Sequence, residues 1–358
     1  MYLWKSARNS RKQESITSRW YGLSLQSDPD SHSLSPCHRS RWWPDRIRCW
    51  NRSKEIFVAD GKRIFKQITN GAGQVKQKIE NLNNFFTRNT FRHLIDGKPD
   101  NVYSSVVERY ISNTEDQKTN GELIREIYKE LKDNYRNEYF YKNTLLNKLL
   151  LDDYDLNTAT AITELPIAKS KADFILINDN AVIYEIKTEL DNLDRLHSQI
   201  DDYYKGFDHV AVVTYKKNLN SLRKVLAEIG KPVGIYILKK DSSLSTIRKP
   251  QSYTDNLDKE IMFKILRKGE QEEIIMHWYG YLPNVTQFQY YDVWKKMFAN
   301  ISIEESYPLV LKELKKRNQQ MKEELIKVPY ELKFLAYFMN LKKKDYKNLE
   351  SFLERKYE

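Results

Sequence analysis

Long apolar runs are missing from this 358-residue sequence, and no segment reaches the roughly 20 residues that a membrane-spanning helix needs. Its start also lacks the succession of a positively charged stretch, an apolar stretch and a small-residue cleavage site that marks a secretory signal. Together these absences predict a cytoplasmic protein with no membrane partner. Cysteine is scarce, at two residues, Cys37 and Cys49. With His38 they offer three donors and no fourth at finger spacing, which argues against a zinc site. The run GAGQVKQK from Gly71 lacks the Gly-Lys-Ser/Thr ending of a phosphate loop and is set aside.

Positive charge, tyrosine and lysine are abundant instead. The formal net charge is +11 and the pI is near 9.2, which favours polyanionic partners through counterion release. The 24 tyrosines and 14 phenylalanines are able to stack on bases, although most aromatic residues in a chain this long fill cores. Five of the seven tryptophans and both cysteines fall in the first fifty residues, which are rich in Ser and Arg and show no sustained period. We therefore expect residues 1–60 to be a disordered basic arm. Residues 81–118 read as a helical cap, 119–240 as the core and 241–256 as a linker. Residues 257–358 read as a helical C-terminal domain able to clamp DNA, bind a partner protein or form a homo-oligomer.

Within the core, KADFILINDNAVIYEIK (Lys171–Lys187) reads as a hairpin. Val182, Tyr184 and Ile186 share one face while Ile183, Glu185 and Lys187 share the other, the period of a strand. Asn178-Asp179-Asn180 tolerates left-handed backbone and suits a three-residue loop. If Ile177 pairs with Ala181, Ile175 faces Ile183, Asp173 faces Glu185 and Lys171 faces Lys187. Opposed side chains sit about 4.5–5.5 Å apart at Cβ, so two like charges there repel. A hard divalent cation relieves that repulsion; a half-exposed hairpin with solvated charges is the plainer alternative.

The flanking pattern completes an order. NEYFYKNTLLNKLLL reads as a helix, TAITELPI as a strand, LDNLDRLHSQIDDYYKG as a helix stopped at Gly206, HVAVVT as a buried strand, NLNSLRKVLAEIG as an amphipathic helix and KPVGIYIL as a strand. The sum is an α/β fold with a mixed sheet covered by helices.

That order, with Asp173, then Glu185-Ile186-Lys187, then Gln199 and Tyr203 one turn apart on the next helix, resembles the PD-(D/E)XK nuclease superfamily and its RecB-like branch. More closely, RNEYFYKN, SKADFILIN and YEIKTELDNLDRLHSQIDDYYKGFDHV resemble a phage- and defence-associated bacterial family. The resemblance runs from Asn81 to Arg317 and is most specific from Arg136 to Thr214. Ala172 stands where the superfamily's proline would be, which makes the motif less specific.

The resemblance implies a restriction-endonuclease-like core that hydrolyses phosphodiester bonds, DNA above all, in anti-phage defence or mobile-element conflict. It implies Mg²⁺ or Mn²⁺ held by Asp173, Glu185 and the carbonyl of Ile186, with Lys187 beside the attacking water. Glu138 matches an acid that reaches such sites from the first helix, and equally an i,i+4 surface pair with Lys142. Gln199 and Tyr203 would meet substrate phosphate or metal-bound water, Tyr203 being equally suited to a core. Ser170 and Lys171 would touch nucleic-acid backbone, or simply close a solvated strand end. The alternative function is a nucleic-acid-binding or regulatory module that does not cleave.

Overall fold

The computed structural model describes residues 82–111, 117–152, 156–318 and 322–357. The expected arm at 1–60, both cysteines and the Gly71 run lie outside the described residues.

Two short helices open the described chain, α1 (Arg88–Ile95) and α2 (Asn101–Tyr110), and each is capped from sequence, by Thr87 and Asp100. Helix α3 (Asn120–Asn134) starts in a capping box in which Thr119 and Glu122 satisfy each other's backbone. Helix α4 (Glu138–Leu145) is capped by Asn137 and runs on through a π-helical turn, Leu146–Leu151.

Three strands follow as an antiparallel meander: β1 (Thr160–Ile167), β2 (Ser170–Ile177) and β3 (Ala181–Ile186). Helix α5 (Leu196–Tyr203) carries the chain to β4 (His209–Thr214), and α6 (Leu219–Ile229) carries it to β5 (Gly234–Leu238). Both crossovers produce parallel pairs, β3 with β4 and β4 with β5. The expected helix-strand order is therefore present through β5. The segment 241–256, read as a linker, instead contains a sixth strand, β6 (Leu244–Arg248), which pairs antiparallel with β5. Its exposed and charged end makes it a protected edge rather than a core strand.

Helices α7 (Lys259–Ile265), α8 (Lys268–Tyr279), α9 (Tyr290–Ala299) and α10 (Ile303–Lys315) come next, then α11 (Lys322–Lys327), α12 (Lys333–Phe338) and α13 (Lys343–Glu354). They are helical as expected, but they do not form a separate domain. Helices α7 to α10 bury Met262, Phe263, Ile274 and Val310 with Ile175, Ile183 and Val212 on one face of the sheet. Leu325, Leu335, Leu349 and Phe352 of α11 to α13 join Phe174, Tyr184 and Val213 on the other face, together with Phe91, Val106 and Leu131 of α1 to α3. A strand has two faces because its side chains alternate, so each face needs its own cover. Asn120 Nδ2 fixes the last helix to α3 by donating to the carbonyls of Phe352 and Arg355, both at 3.1 Å.

Gly206 does not stop α5 by a left-handed turn. A Cβ there would stand 2.6 Å from Ile265 Cδ1 and 3.1 Å from Ile167 Cγ2. Its role is close approach of α7 and β1.

Candidate active site

The three-residue loop sets the β2–β3 register as its length demands: Ile177 pairs with Ala181, Ile175 with Ile183 and Phe174 with Tyr184. Backbone pairing then ends. Asp173 and Glu185 occupy the next row, where the Ile186 N–H donates to Asp173 Oδ2 at 2.8 Å in place of a ladder bond. Lys171 and Lys187 do not face each other across a ladder. Lys171 pairs with Glu164 on β1, and Lys187 turns inward.

The inward group is buried and fully partnered. Glu185 is 1 % exposed and Lys187 6 %. Lys187 Nζ lies 2.8 Å from Glu185 Oε1 and donates to Gln199 Oε1 at 2.8 Å. Tyr203 Oη stands 2.5 Å from Glu185 Oε2 and 3.0 Å from the Lys171 carbonyl. Gln199 and Tyr203 are four residues apart on α5, so both point at β3 from one helix face. Burial, then the Glu185 charge, hold the Tyr203 hydroxyl protonated far above its ordinary range.

An outer group lies beside it. Lys142 Nζ is 2.6 Å from Glu138 Oε1 and also pairs with Glu164, which pairs in turn with Lys171. Glu164 sits opposite Asp173 in the β1–β2 register, between the pairs Thr163–Phe174 and Leu165–Ala172, and takes a left-handed φ of 57°. Carboxylate oxygens of Glu138, Glu164 and Asp173 lie within 4.8 Å of one another. Burial works against the Lys142 ammonium, but Glu138 and Glu164 outweigh it and raise its pKa. Burial likewise opposes the Glu164 carboxylate, and the hydrogen bonds from Lys142 and Lys171 prevail and lower its pKa.

Asp173 is the uncompensated member. No ion pair forms at its carboxylate among the described residues. Burial, and after it the Glu185 charge, push its pKa up to about 8 from 3.8. Two clefts reach this row. One of about 480 Å³ is lined by Glu138, Lys142 and Glu164. The other, of about 650 Å³, is lined by Lys169, Ser170, Lys171, Asp173, Arg195 and Gln199. The turn after β3 is firmly held between them. Thr188 N and Oγ1 donate to Asp191 Oδ2 at 2.8 and 2.7 Å, while Glu189 pairs with Arg136 at 3.1 Å and accepts from Tyr141 Oη at 3.1 Å.

The family model described as bacteriophage P4 protein cII matches residues 131–348, more than half of the chain. The chain belongs to the bacteriophage P4 cII family. No curated protein and no solved structure matches it. The cII-family match takes in α4, the whole sheet and α5, and so contains every residue of both groups.

Of the residues singled out in the sequence, Glu185, Lys187, Gln199 and Tyr203 form the inner group, and Asp173 adjoins it through the Ile186 N–H. Glu138 makes the expected i,i+4 pair with Lys142 and also joins the acidic outer group. Ser170 turns away: its Oγ donates to Asp202 Oδ2 at 2.8 Å. Two residues beside these groups escaped the sequence reading, Glu164 and Asp202. Asp202 binds Ser170, the Lys169 N–H and Lys205, and thus closes the β1–β2 turn onto α5. Glu164 was within reach, since a two-residue turn at Ala168-Lys169 sets it opposite Asp173.

Proposed function

We propose that this protein is a metal-dependent nuclease on a PD-(D/E)XK core. One observation carries the reading: Asp173, Glu185, Lys187 and Gln199 converge at the end of β2 and β3, with Asp173 a half-buried carboxylate that no Lys, Arg or His pairs with among the described residues. A partly desolvated acid beside a second one is disfavoured unless protonated or paired with positive charge. A hard divalent ion satisfies oxygen donors of this kind while keeping waters for exchange. The donor set fits Mg²⁺ or Mn²⁺ at Asp173, whose carboxylate clusters with those of Glu138 and Glu164; the Ile186 carbonyl is the expected further donor, and Glu185 would join by exchanging its contacts with Lys187 and Tyr203. Such an ion would supply Lewis-acid polarisation of a phosphoryl oxygen and a more acidic water.

The chain's own residues do the rest. Lys187 holds its positive charge in the buried inner group beside Glu185, where it would orient a nucleophilic water or meet a phosphate oxygen. Gln199 fixes the direction of the Lys187 ammonium, and Tyr203 fixes Glu185. Lys169, Lys171 and Arg195 line the adjoining cleft and suit a phosphate backbone. The order α4, β1 to β3, α5, β4 supports this core, and a phage-associated family supports DNA as substrate in phage–host conflict.

A second reading draws on one observation. Both Glu185 oxygens are occupied, by Lys187 and Tyr203, as a site retained for structure would have them; the protein would then bind nucleic acid without cleaving it. Purified protein with Mg²⁺ or Mn²⁺ and a panel of linear, circular and single-stranded DNA and RNA separates the two. Metal-dependent cleavage that disappears in Asp173→Asn and Lys187→Ala is expected. Binding without cleavage on every substrate selects the second reading.

A further inference from the structure

Helix α3 buries Leu123, Ile124, Ile127, Tyr128 and Leu131 and turns Arg125, Lys129 and Lys132 outward. These three stand at i, i+4 and i+7, on one face. None of them makes an ion pair or a side-chain hydrogen bond among the described residues. They line a cleft of about 580 Å³ whose opposite wall is the β5–β6 turn with Ser242 and Ser243. Lys148, paired with Asp152 at 2.8 Å, also lines it. Two acids also line it, Asp241 and Glu331; Asp241 accepts from the Ser243 N–H and Oγ at 2.9 and 2.6 Å.

The background makes this segregation informative. Residues 1–81 hold 16 of the 60 Lys and Arg and 7 of the 49 Asp and Glu, nine of the eleven net charges. From residue 82 onward 44 cations meet 42 acids. A near-neutral body that aligns three unpaired cations on one helix face is presenting them to something negative. At 1.5 Å per residue the row spans about 10 Å, close to three steps of rise along one duplex strand at about 3.4 Å each, the reach from a first to a fourth phosphate. Buried Tyr128 and half-buried Tyr330 form part of the cleft lining, their rings meeting at 5.9 Å and 75°.

We infer that the cleft between α3 and the β5–β6 turn is a second polyanion site that holds the phosphate backbone of a nucleic-acid strand. It shares no lining residue with the clefts at Asp173 and Glu164. The nature of the occupant rests on the nuclease reading; the cation row does not.

The test uses full-length Asp173→Asn protein, so that nucleic acid stays intact, with and without Arg125→Gln/Lys129→Gln/Lys132→Gln. Fluorescence anisotropy of labelled single-stranded and duplex oligonucleotides is followed across a salt series. The triple substitution is expected to weaken binding about tenfold or more near 0.1 M salt and to lower the salt slope by about two to three. Lys129→Arg/Lys132→Arg, which keeps the charge, is expected to bind as the parent does. Equal affinity and slope in triple variant and parent overturn the inference. A mononucleotide that binds as tightly as the oligonucleotide through the same three residues overturns the polymeric occupant. Row-dependent binding by wild-type protein that cleaves nothing removes the nuclease reading and leaves this site standing. Cleavage with row-independent binding does the reverse.

Discussion

Asp173→Asn should stabilise the metal-free protein, and should do so more as pH rises. The Asp173 pKa stands at about 8 in the fold against 3.8 ordinarily, because burial and Glu185 disfavour its charge. Between those values the native protein binds a proton that the unfolded chain has released, so stability falls with rising pH through that window and the loss is complete above the folded pKa. At about 1.4 kcal/mol per pH unit, the three units from about pH 5 to pH 8 amount to about 4 kcal/mol. Water and coupling to Glu185 make this a ceiling. Asparagine keeps an oxygen to accept the Ile186 N–H and carries no charge, so it escapes the loss. At roughly 2–4 °C per kcal/mol for a body this size, the variant should melt several degrees above wild type near pH 8.5 in chelator, and the gap should narrow towards pH 5. Thermal melts of both proteins across that range read it directly. A variant that tracks wild type at every pH, or that gains most at pH 5, refutes the view of Asp173 as a buried, uncompensated charge.

Four further outcomes follow from named contacts. Lys187→Met strips the cation from a Glu185 that is 1 % exposed, so urea unfolding should show a loss of about 3–5 kcal/mol, and adding Glu185→Gln should restore most of it; additive losses would deny the pairing. Tyr203→Phe removes the hydroxyl from Glu185 and should cost about 1.5–3 kcal/mol, with unchanged circular dichroism checking that the fold survives. Gly206→Ala drives a methyl into Ile265 and Ile167 and should cost about 1–3 kcal/mol; a neutral result would show that α7 shifts freely. Ending the chain before α13 uncovers Phe91 and Tyr103 beneath Leu349 and Phe352, so dye binding to apolar surface should rise sharply, whereas a detachable C-terminal domain would leave the remainder dry.

The hairpin was legible because its determinants are local. Three turn-forming residues fix a loop length, the loop length fixes the register, and the register sets Asp173 beside Glu185. The α5 spacing of Gln199 and Tyr203 was legible for the same reason. Glu164 was missed because its strand turns at Ala168-Lys169, where neither residue is Gly, Asn or Asp, although Ala168 takes a φ of 52°. Asp202 reads as one of many acids until the β1–β2 turn is seen against it. The C-terminal helices show where an apolar stripe lies on each helix, but periodicity carries no information on which sheet face receives it. Hence α11 to α13 read as one domain with α7 to α10 while packing on the other side. The cations of α3 were not singled out in the sequence, because which of its many Lys and Arg stay unpaired is settled only by the folded contacts.

The strands lie in the sheet in the order they occur in the chain, β1 to β6, and this bears on how the molecule is made. During synthesis, at about 5–20 residues per second, each new strand finds its neighbour already present. The residues of the candidate site are all available once Tyr203 has emerged. Phe85, Phe86 and Phe91 are in the opposite position: part of their cluster is Leu325 to Phe352, made more than 200 residues later. A nascent or broken chain therefore carries an assembled acidic row above an uncovered aromatic surface, the state in which the protein most needs a chaperone and is most exposed to proteolysis.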